Sequence, residues 1–392
     1  MKISTLTHLS LVSIFLITSA CIREDYTDPT ETFELEKAPL TKDIFASLNE
    51  VERAQFTASE LKELEQLLDE NAFAIDVRSG TVVELPAGSE DALAAAIEAA
   101  GEGGTVLVKA GEHTESKSVT ITHQVNIIGE AGASIQTNTL PIGTMGVVQP
   151  ALHILNAPGV IVKGIALTSK DPFGGTAVLV AHSPRTQIVK NSFTNHEIGV
   201  LVEYSDRVIV SGNTIATSLG WANFPGYPGY GVAIVNGRNA RIIGNDITSS
   251  IFGVWACDGA GWYMGNTTHG NYIGLILCKV PQEIPLPNGE VTGSAFSANN
   301  WLTLFNKSFE NLDAGYLVID GANKNFLSSN YARDNGTYDI ELVGDSERFG
   351  FFTPTSSSNR VYAWPNLLIK DCGENNKVSG STLVDNTLDP CF

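Results

Sequence analysis

Positive charge is scarce in this sequence: 24 Lys and Arg stand against 43 Asp and Glu, for a formal net charge of −19. That balance excludes nucleic acid and an anionic bilayer as electrostatic partners, because both reward Lys and Arg. It also disfavours a strongly anionic polysaccharide unless a local basic patch compensates. Cysteine is rare as well, five in 392 residues, and none has the CxxC spacing of a zinc site. His113, His123, His196 and His269 form no His-x-His or His-x3-His pair, so copper and zinc have no local ligand set. We expect no cofactor and no metal. The apolar stretch from Leu9 to Ile17 is too short to span a bilayer.

That stretch has a different use. Lys2 precedes it, and Thr18-Ser19-Ala20-Cys21 follows, which is the layout of an export signal. A cysteine directly after small residues, followed by Arg23-Glu24-Asp25, resembles the lipobox of bacterial lipoproteins, in which the cysteine is lipidated; Thr18 stands where Leu is usual. The acidic residues Glu24, Asp25, Asp28, Glu31, Glu34 and Glu36 resemble the surface-export tether of Bacteroidetes lipoproteins. The other reading is an ordinary signal peptide with an incidental cysteine. Residues 1–20 are thus expected to be the signal, 21–45 an acidic flexible tether, and 46–83 a helical segment. The spacing of Thr57 and Glu60, with Leu61, Leu64, Leu67 and Leu68, predicts one amphipathic helix in that segment. Ser89, Glu90 and Asp91, with Leu93, Ala96, Ile97 and Ala100 behind them, predict a second. Gly101, Gly103 and Gly104 end it, and Thr105 to Val108 begin a strand.

From there no long helical period recurs. Short β-branched runs alternate with Gly and Asn, and they repeat. Val208-Ile-Val-Ser-Gly-Asn213-Thr-Ile returns as Ala240-Arg-Ile-Ile-Gly-Asn245-Asp-Ile, with weaker copies at Asn191, Asn266, Asn306 and Asn330. Eight residues after Asn191, Asn245 and Asn266 a Gly opens another strand, at Gly199, Gly253 and Gly274; Gly231 opens the same strand after an insertion. The separations of 22, 21 and 24 residues (Asn191 to Asn213, Asn245 to Asn266, Asn306 to Asn330) make one structural turn about two dozen residues. That is the coil of a parallel β-helix, three short strands to a rung. The longer intervals Asn213 to Asn245 and Asn266 to Asn306 carry insertions, which leave as loops or hide a degenerate coil. Asn191, Asn213, Asn245 and Asn266 read as a structural ladder in tight bends, holding the fold and doing no chemistry.

The segment LAAAIEAAGEGGTVLVKAGEHTESKSVTITHQVNIIGE, Leu93 to Glu130, resembles the entry to pectin-lyase-like right-handed parallel β-helices. There a helix caps the open barrel end. With the repeats the resemblance covers residues 84 to about 385, and the β-helix domain is drawn as 84–392. It extends to parallel β-helix repeat lipoproteins and to periplasmic β-helix proteins that help mature a copper enzyme of nitrous oxide respiration. Such solenoids host lyases, hydrolases, epimerases and non-enzymes alike.

In that fold the substrate groove runs along the sheet of Gly-initiated strands. Alternation points Val200, Val202, Val232, Ile234, Val254, Ala256, Leu275 and Leu277 inward. Leu179, Ala181, Leu201, Glu203, Ala233, Val235, Trp255, Cys257, Ile276 and Cys278 then point outward, with His153 one coil earlier. The row lacks the clustered acids of a glycosidase and the cation and base of a lyase. His182, Tyr204, Asn236, Asp258 and Lys279 occupy equivalent places just past the strands. His153, His182, Glu203, Asp258 and Lys279 are the catalytic candidates, weighed against plain solvated charge. The insertion before Gly231 carries Trp221, Phe224, Tyr227 and Tyr230; with Trp255, and Trp262 beyond, these rings form either a sugar-stacking platform or a satellite core fastening the loop. Cys257 and Cys278 fall at one strand position on adjacent coils, as a disulfide or a stacked thiol pair. Cys372 and Cys391 flank the terminal segment, where an oxidising compartment favours a bond.

The expectation is a monomeric, lipid-anchored β-helix of the bacterial outer membrane, periplasmic or surface-exposed, that takes extended carbohydrate along its groove. If an enzyme, it is a polysaccharide lyase, epimerase or glycoside hydrolase. The alternative is a non-enzymatic envelope scaffold or maturation factor whose partner is another envelope protein. The membrane is touched through the lipid anchor alone.

Overall fold

A computed structural model of the chain describes residues 80–139, 149–171, 174–217, 229–257, 259–279, 284–285, 291–292, 297–348, 351–364, 366–380 and 382–384. The helix expected from Thr57 lies outside them. The chain winds through three parallel sheets of 12, 9 and 11 strands, here called A, B and C in the order one coil visits them. A typical coil runs Gln187–Val189 in A, Ser192–Thr194 in B and His196–Glu203 in C. Each strand pairs in parallel with the equivalent strand one coil on, Val200 with Val232 and Val232 with Val254. The architecture is a right-handed parallel β-helix.

Inward side chains stack on their own kind. Val178, Val200, Val232, Val254 and Leu275 form one column in register, all buried in the central core. Each fully buried aliphatic side chain contributes roughly 1.5–3 kcal/mol, and an unbroken column leaves no layer unpacked. Glycine opens the sheet C strands because the corner is crowded: a Cβ on Gly231 would meet Ile247 Cγ2 at 2.3 Å and the Gly253 carbonyl oxygen at 2.4 Å.

The asparagines join coil to coil. Asn213 Oδ1 accepts from the Asn191 backbone N–H at 2.9 Å and its Nδ2 at 3.1 Å. Asn213 donates in turn to Asn245, Asn245 to Asn266, Asn266 to Asn306 and Asn306 to Asn330. Asn213 bonds Asn245 directly and Asn266 bonds Asn306, so each long interval joins two coils that are neighbours in the ladder. A second ladder, Asn271–Asn311–Asn335, holds the B-to-C turns. A third, Asn325–Asn359–Asn376, holds the C-to-A turns.

The helix spans Leu93–Ala100 and turns Leu93, Ala96, Ile97 and Ala100 onto the end of the barrel. It starts later than Ser89 predicts. The Ser89 hydroxyl is spent on the Pro86 carbonyl, and the cap comes from the next coil: Glu115 Oε1 accepts from Ala92 N–H at 3.1 Å and Leu93 N–H at 2.8 Å. A carboxylate at a helix N-terminus satisfies orphan donors and the macrodipole together.

Candidate functional site on the outward face of sheet C

Register fixes what the outer face of sheet C presents. One column reads Thr120, His153, Leu179, Leu201, Ala233, Trp255, Ile276, Leu317, Glu341, Lys370. The next reads Leu155, Ala181, Glu203, Val235, Cys257. The directions expected from alternation hold.

The exposure does not. Leu179, Leu201, Ala233, Val235, Ile276 and Leu317 are all buried, and with Ile198, Ile273 and Ala314 they form a second apolar core outside the sheet. These side chains are therefore covered and do not face solvent. Alternation assigns a side chain to a face but not that face to solvent, and so wide an apolar surface is favourable to cover.

Within this layer Tyr230 stacks on Phe252 at 5.7 Å and on Trp255 at 4.9 Å between ring centroids. Burial pushes the Tyr230 hydroxyl up to about 12. All three rings keep some exposure. Trp262 lies apart, on the outer face of sheet A beside Leu302. Trp221, Phe224 and Tyr227 lie outside the described residues.

The catalytic candidates are dispersed. His153 and Glu203 sit half-buried in different columns; burial lowers the pKa of the imidazole and raises that of the carboxyl. His182 is exposed and stacks on Tyr204, centroids 5.1 Å apart. Both occupy left-handed turn positions, φ 49 and 47°, which is a structural reason for their alignment. Asp258 lies outside the described residues. Lys279 lies beside Asp320, a residue the sequence did not single out, whose carboxyl burial pushes up to about 6 against the opposing backbone hydrogen bond and charge of Lys279. Cys257 and Cys278 are joined by a disulfide, their Cα atoms 4.3 Å apart. Cys372 is disulfide-bonded, while Cys21 and Cys391 lie outside the described residues.

Two further buried polar groups stand out. His196 and Glu197 are each 1% exposed at the start of their sheet C strand. The His196 Nε2 lies 3.2 Å from the Thr137 hydroxyl, and burial pulls its pKa down to about 4. Such an imidazole is neutral at physiological pH.

Known proteins place the architecture. The model of the family described as NosD, periplasmic copper-binding protein, matches residues 98–284. The surface protein and adhesin PfbA of Streptococcus pneumoniae superposes with a TM-score of 0.54 at 12% identity, over 78% of this chain and 96% of PfbA. The chain has the right-handed parallel β-helix fold. ORF18 of Geobacillus virus E2 aligns at 13% identity and TM-score 0.48, over 83% of this chain but only 62% of ORF18. The A-module of the Azotobacter vinelandii mannuronan C-5 epimerase AlgE4 aligns at 12% identity and TM-score 0.43, over 75% of this chain and 92% of that module. At these identities the structural likeness concerns the fold alone. No curated protein sequence matches the chain.

The NosD description raises copper. Among the described residues no three His, Cys, Asp or Glu side chains come together as a metal set. His113 Nε2 is engaged with the Lys109 carbonyl at 2.9 Å, Met264 is buried in an apolar cluster, and Cys257 and Cys278 are bonded to each other. These donors do not fit a copper ion.

Proposed function

We propose that this chain is a lipid-anchored β-helix of the bacterial cell envelope that binds extended polysaccharide. The observation that carries the reading is the Tyr230–Phe252–Trp255 stack, directly after the insertion bearing Trp221, Phe224 and Tyr227. Partly exposed rings beside a long solenoid face suit the apolar faces of sugars. The ligand would meet this face where the rings keep some exposure, since the apolar side chains around them are buried. Support for the envelope comes from Lys2 to Cys21, from the periplasmic description of the matching family, and from the lack of any helix long and apolar enough to cross a membrane among the described residues.

A second reading, an envelope scaffold or maturation factor, is favoured by the match to the NosD model over residues 98–284. One experiment separates them. The purified chain is offered a panel of neutral and acidic polysaccharides, with binding isotherms, new reducing ends and absorbance of unsaturated products all recorded. The glycan reading expects saturable binding that weakens in Trp255→Ala, Trp221→Ala and Tyr227→Ala, each checked for an unchanged melting curve. Silence across the panel, or affinity untouched in all three variants, overturns it. New reducing ends or unsaturated ends would add hydrolase or lyase activity to the binding.

A further inference from the structure

Independently of the glycan-binding reading, we infer that the free edge of sheet B at Tyr331–Arg333 docks an extended segment of another polypeptide, which joins the sheet as a further parallel strand and carries an Asn or Asp just ahead of that strand. Sheet B ends on Tyr331–Arg333, whereas sheet A continues through Arg360–Tyr362 and Lys377–Ser379 and sheet C through Leu367–Asp371 and Thr382–Val384. The cause is a shortened connection. Ser328 pairs with Tyr362 and Ile340 with Ile369, so one coil spends residues 329–339 between sheets A and C while the next has only residues 363–368. The edge of sheet B is thus left two coils below the ends of its neighbours, a step of about 10 Å.

The edge has backbone groups to offer. The Tyr331 N–H bonds the Asn306 carbonyl at 2.8 Å, and the Arg333 carbonyl accepts from the Glu310 N–H at 3.3 Å. Both residues face the coil below, and in a parallel sheet the residue between them, Ala332, turns its N–H and C=O to the open side. Such an edge templates strand addition. Arg333 does not guard it, because its guanidinium folds over the Phe309 and Tyr331 rings and pairs with Asp334 at 3.5 Å.

The asparagine ladders specify what the occupant must bring. In the first ladder the backbone N–H and Nδ2 of each Asn reach the Oδ1 of the next, as far as Asn306 on Asn330 at 3.1 and 2.9 Å. Trp364 stands where a further Asn would follow, since Ala363 and Trp364 succeed Tyr362 as Ser329 and Asn330 succeed Ser328. The other two ladders end on an aspartate: Asn335 Nδ2 donates to Asp339 Oδ1 and Asn376 Nδ2 to Asp371 Oδ1, each at 2.9 Å. Asn330 Nδ2 reaches only the Thr303 carbonyl on the coil below, and its backbone N–H has no acceptor among the described residues although the residue is 3% exposed. A nearly buried donor without an acceptor is costly. A side-chain amide or carboxylate oxygen from outside would complete the ladder, and a polypeptide offers that oxygen together with backbone partners for Ala332.

Apolar surface collects at the same place. Of the four large hydrophobic side chains exposed among the described residues, three lie here: Tyr331 on the edge at 43%, Leu312 on the coil below at 49% and Trp364 on the coil above at 54%. Such a concentration marks a protein contact. A second copy meeting this end to end does not fit, because the taller sheets A and C would keep the two B edges about 20 Å apart. A single extended segment enters the step.

The test uses the full chain and a fluorescein-labelled synthetic peptide of residues 304–313, which has the sheet B register and places Asn306 to meet Asn330. The free chain should exchange the Asn330 and Ala332 amide protons quickly, and the peptide should slow both. Binding followed by anisotropy should saturate, and it should be roughly tenfold weaker or more for the peptide carrying Asn306→Ala. In the protein, Ala332→Pro removes the outward N–H and leaves the bonds of Tyr331 and Arg333 in place, and Trp364→Ala removes an exposed ring. Both should weaken the peptide, Trp364→Ala with an unchanged melting curve, so the outcome does not depend on whether the proline variant folds. Absence of binding, equal affinity for the two peptides, or affinity unchanged in Trp364→Ala overturns the inference. Protection of the Ala332 amide in the free chain overturns it too, assigning the edge to another segment of this chain or, where protection grows with protein concentration, to a second copy.

Discussion

Acidifying the protein tests the interior directly through His196. The imidazole is almost fully buried and its pKa is pulled to about 4 from an ordinary 6.5, burial being the leading cause. A depressed folded-state pKa means that the unfolded chain takes up the proton first. The contribution is complete above pH 6.5, shrinks as the pH falls, and is gone below about 4. A shift of about 2.5 units at 1.36 kcal/mol each makes the span about 3 kcal/mol. Burial raises the pKa of Glu203 and Asp320, and these carboxyls favour the fold as they protonate, so the raw pH profile is a sum of opposite signs. The informative quantity is the difference between the parent and His196→Gln, in which a non-titrating amide faces the Thr137 hydroxyl. Equilibrium urea midpoints should place the variant below the parent at pH 7. The gap should close or reverse by about 3 kcal/mol at pH 4. A gap that stays constant between pH 7 and 4, or an imidazole that titrates near 6.5 by NMR, refutes the reasoning.

Other consequences concern the coils. Asn213→Ala leaves the Asn191 N–H and Nδ2 and the Ile188 carbonyl without their partner, which should cost roughly 3 kcal/mol in urea unfolding; the exposed Thr214→Ala should cost almost nothing. Gly231→Ala drives a methyl onto Ile247 and the Gly253 carbonyl and should destabilise by more than about 2 kcal/mol. In Gly265→Ala, where no atom lies within 4 Å and φ is 60°, the cost should stay near 1–2 kcal/mol from the backbone alone. Equal losses at the two glycines would contradict the packing argument. Glu115→Ala strips the cap from Ala92 and Leu93; it should cost about 1–2 kcal/mol and speed hydrogen exchange at the helix Leu93–Ala100 ahead of the central coils.

The repeat was legible because stacking imposes it. A ladder demands the same amide at the same bend in every coil, so Asn191, Asn213, Asn245 and Asn266 had to recur. Inward valines had to alternate for the same reason. The second ladder carries a signal in the sequence too: Asn271, Asn311 and Asn335 each follow a member of the first by five residues. Other features depended on distance that periodicity does not encode. Glu115 caps a helix that begins 22 residues earlier, and no local pattern joins the two. Asp320 stands one coil from Lys279, but the insertion between them hides the register.

The site was harder to read for a related reason. Whether an outward row is a groove or a second core is decided by whatever lies over it, and alternation contains no such term. Leu179, Ala233 and Ile276 fit both outcomes equally until their burial is known. In a solenoid, composition describes the whole surface while function belongs to a line along it, and the lines that differ from the mean are where ligands should be sought.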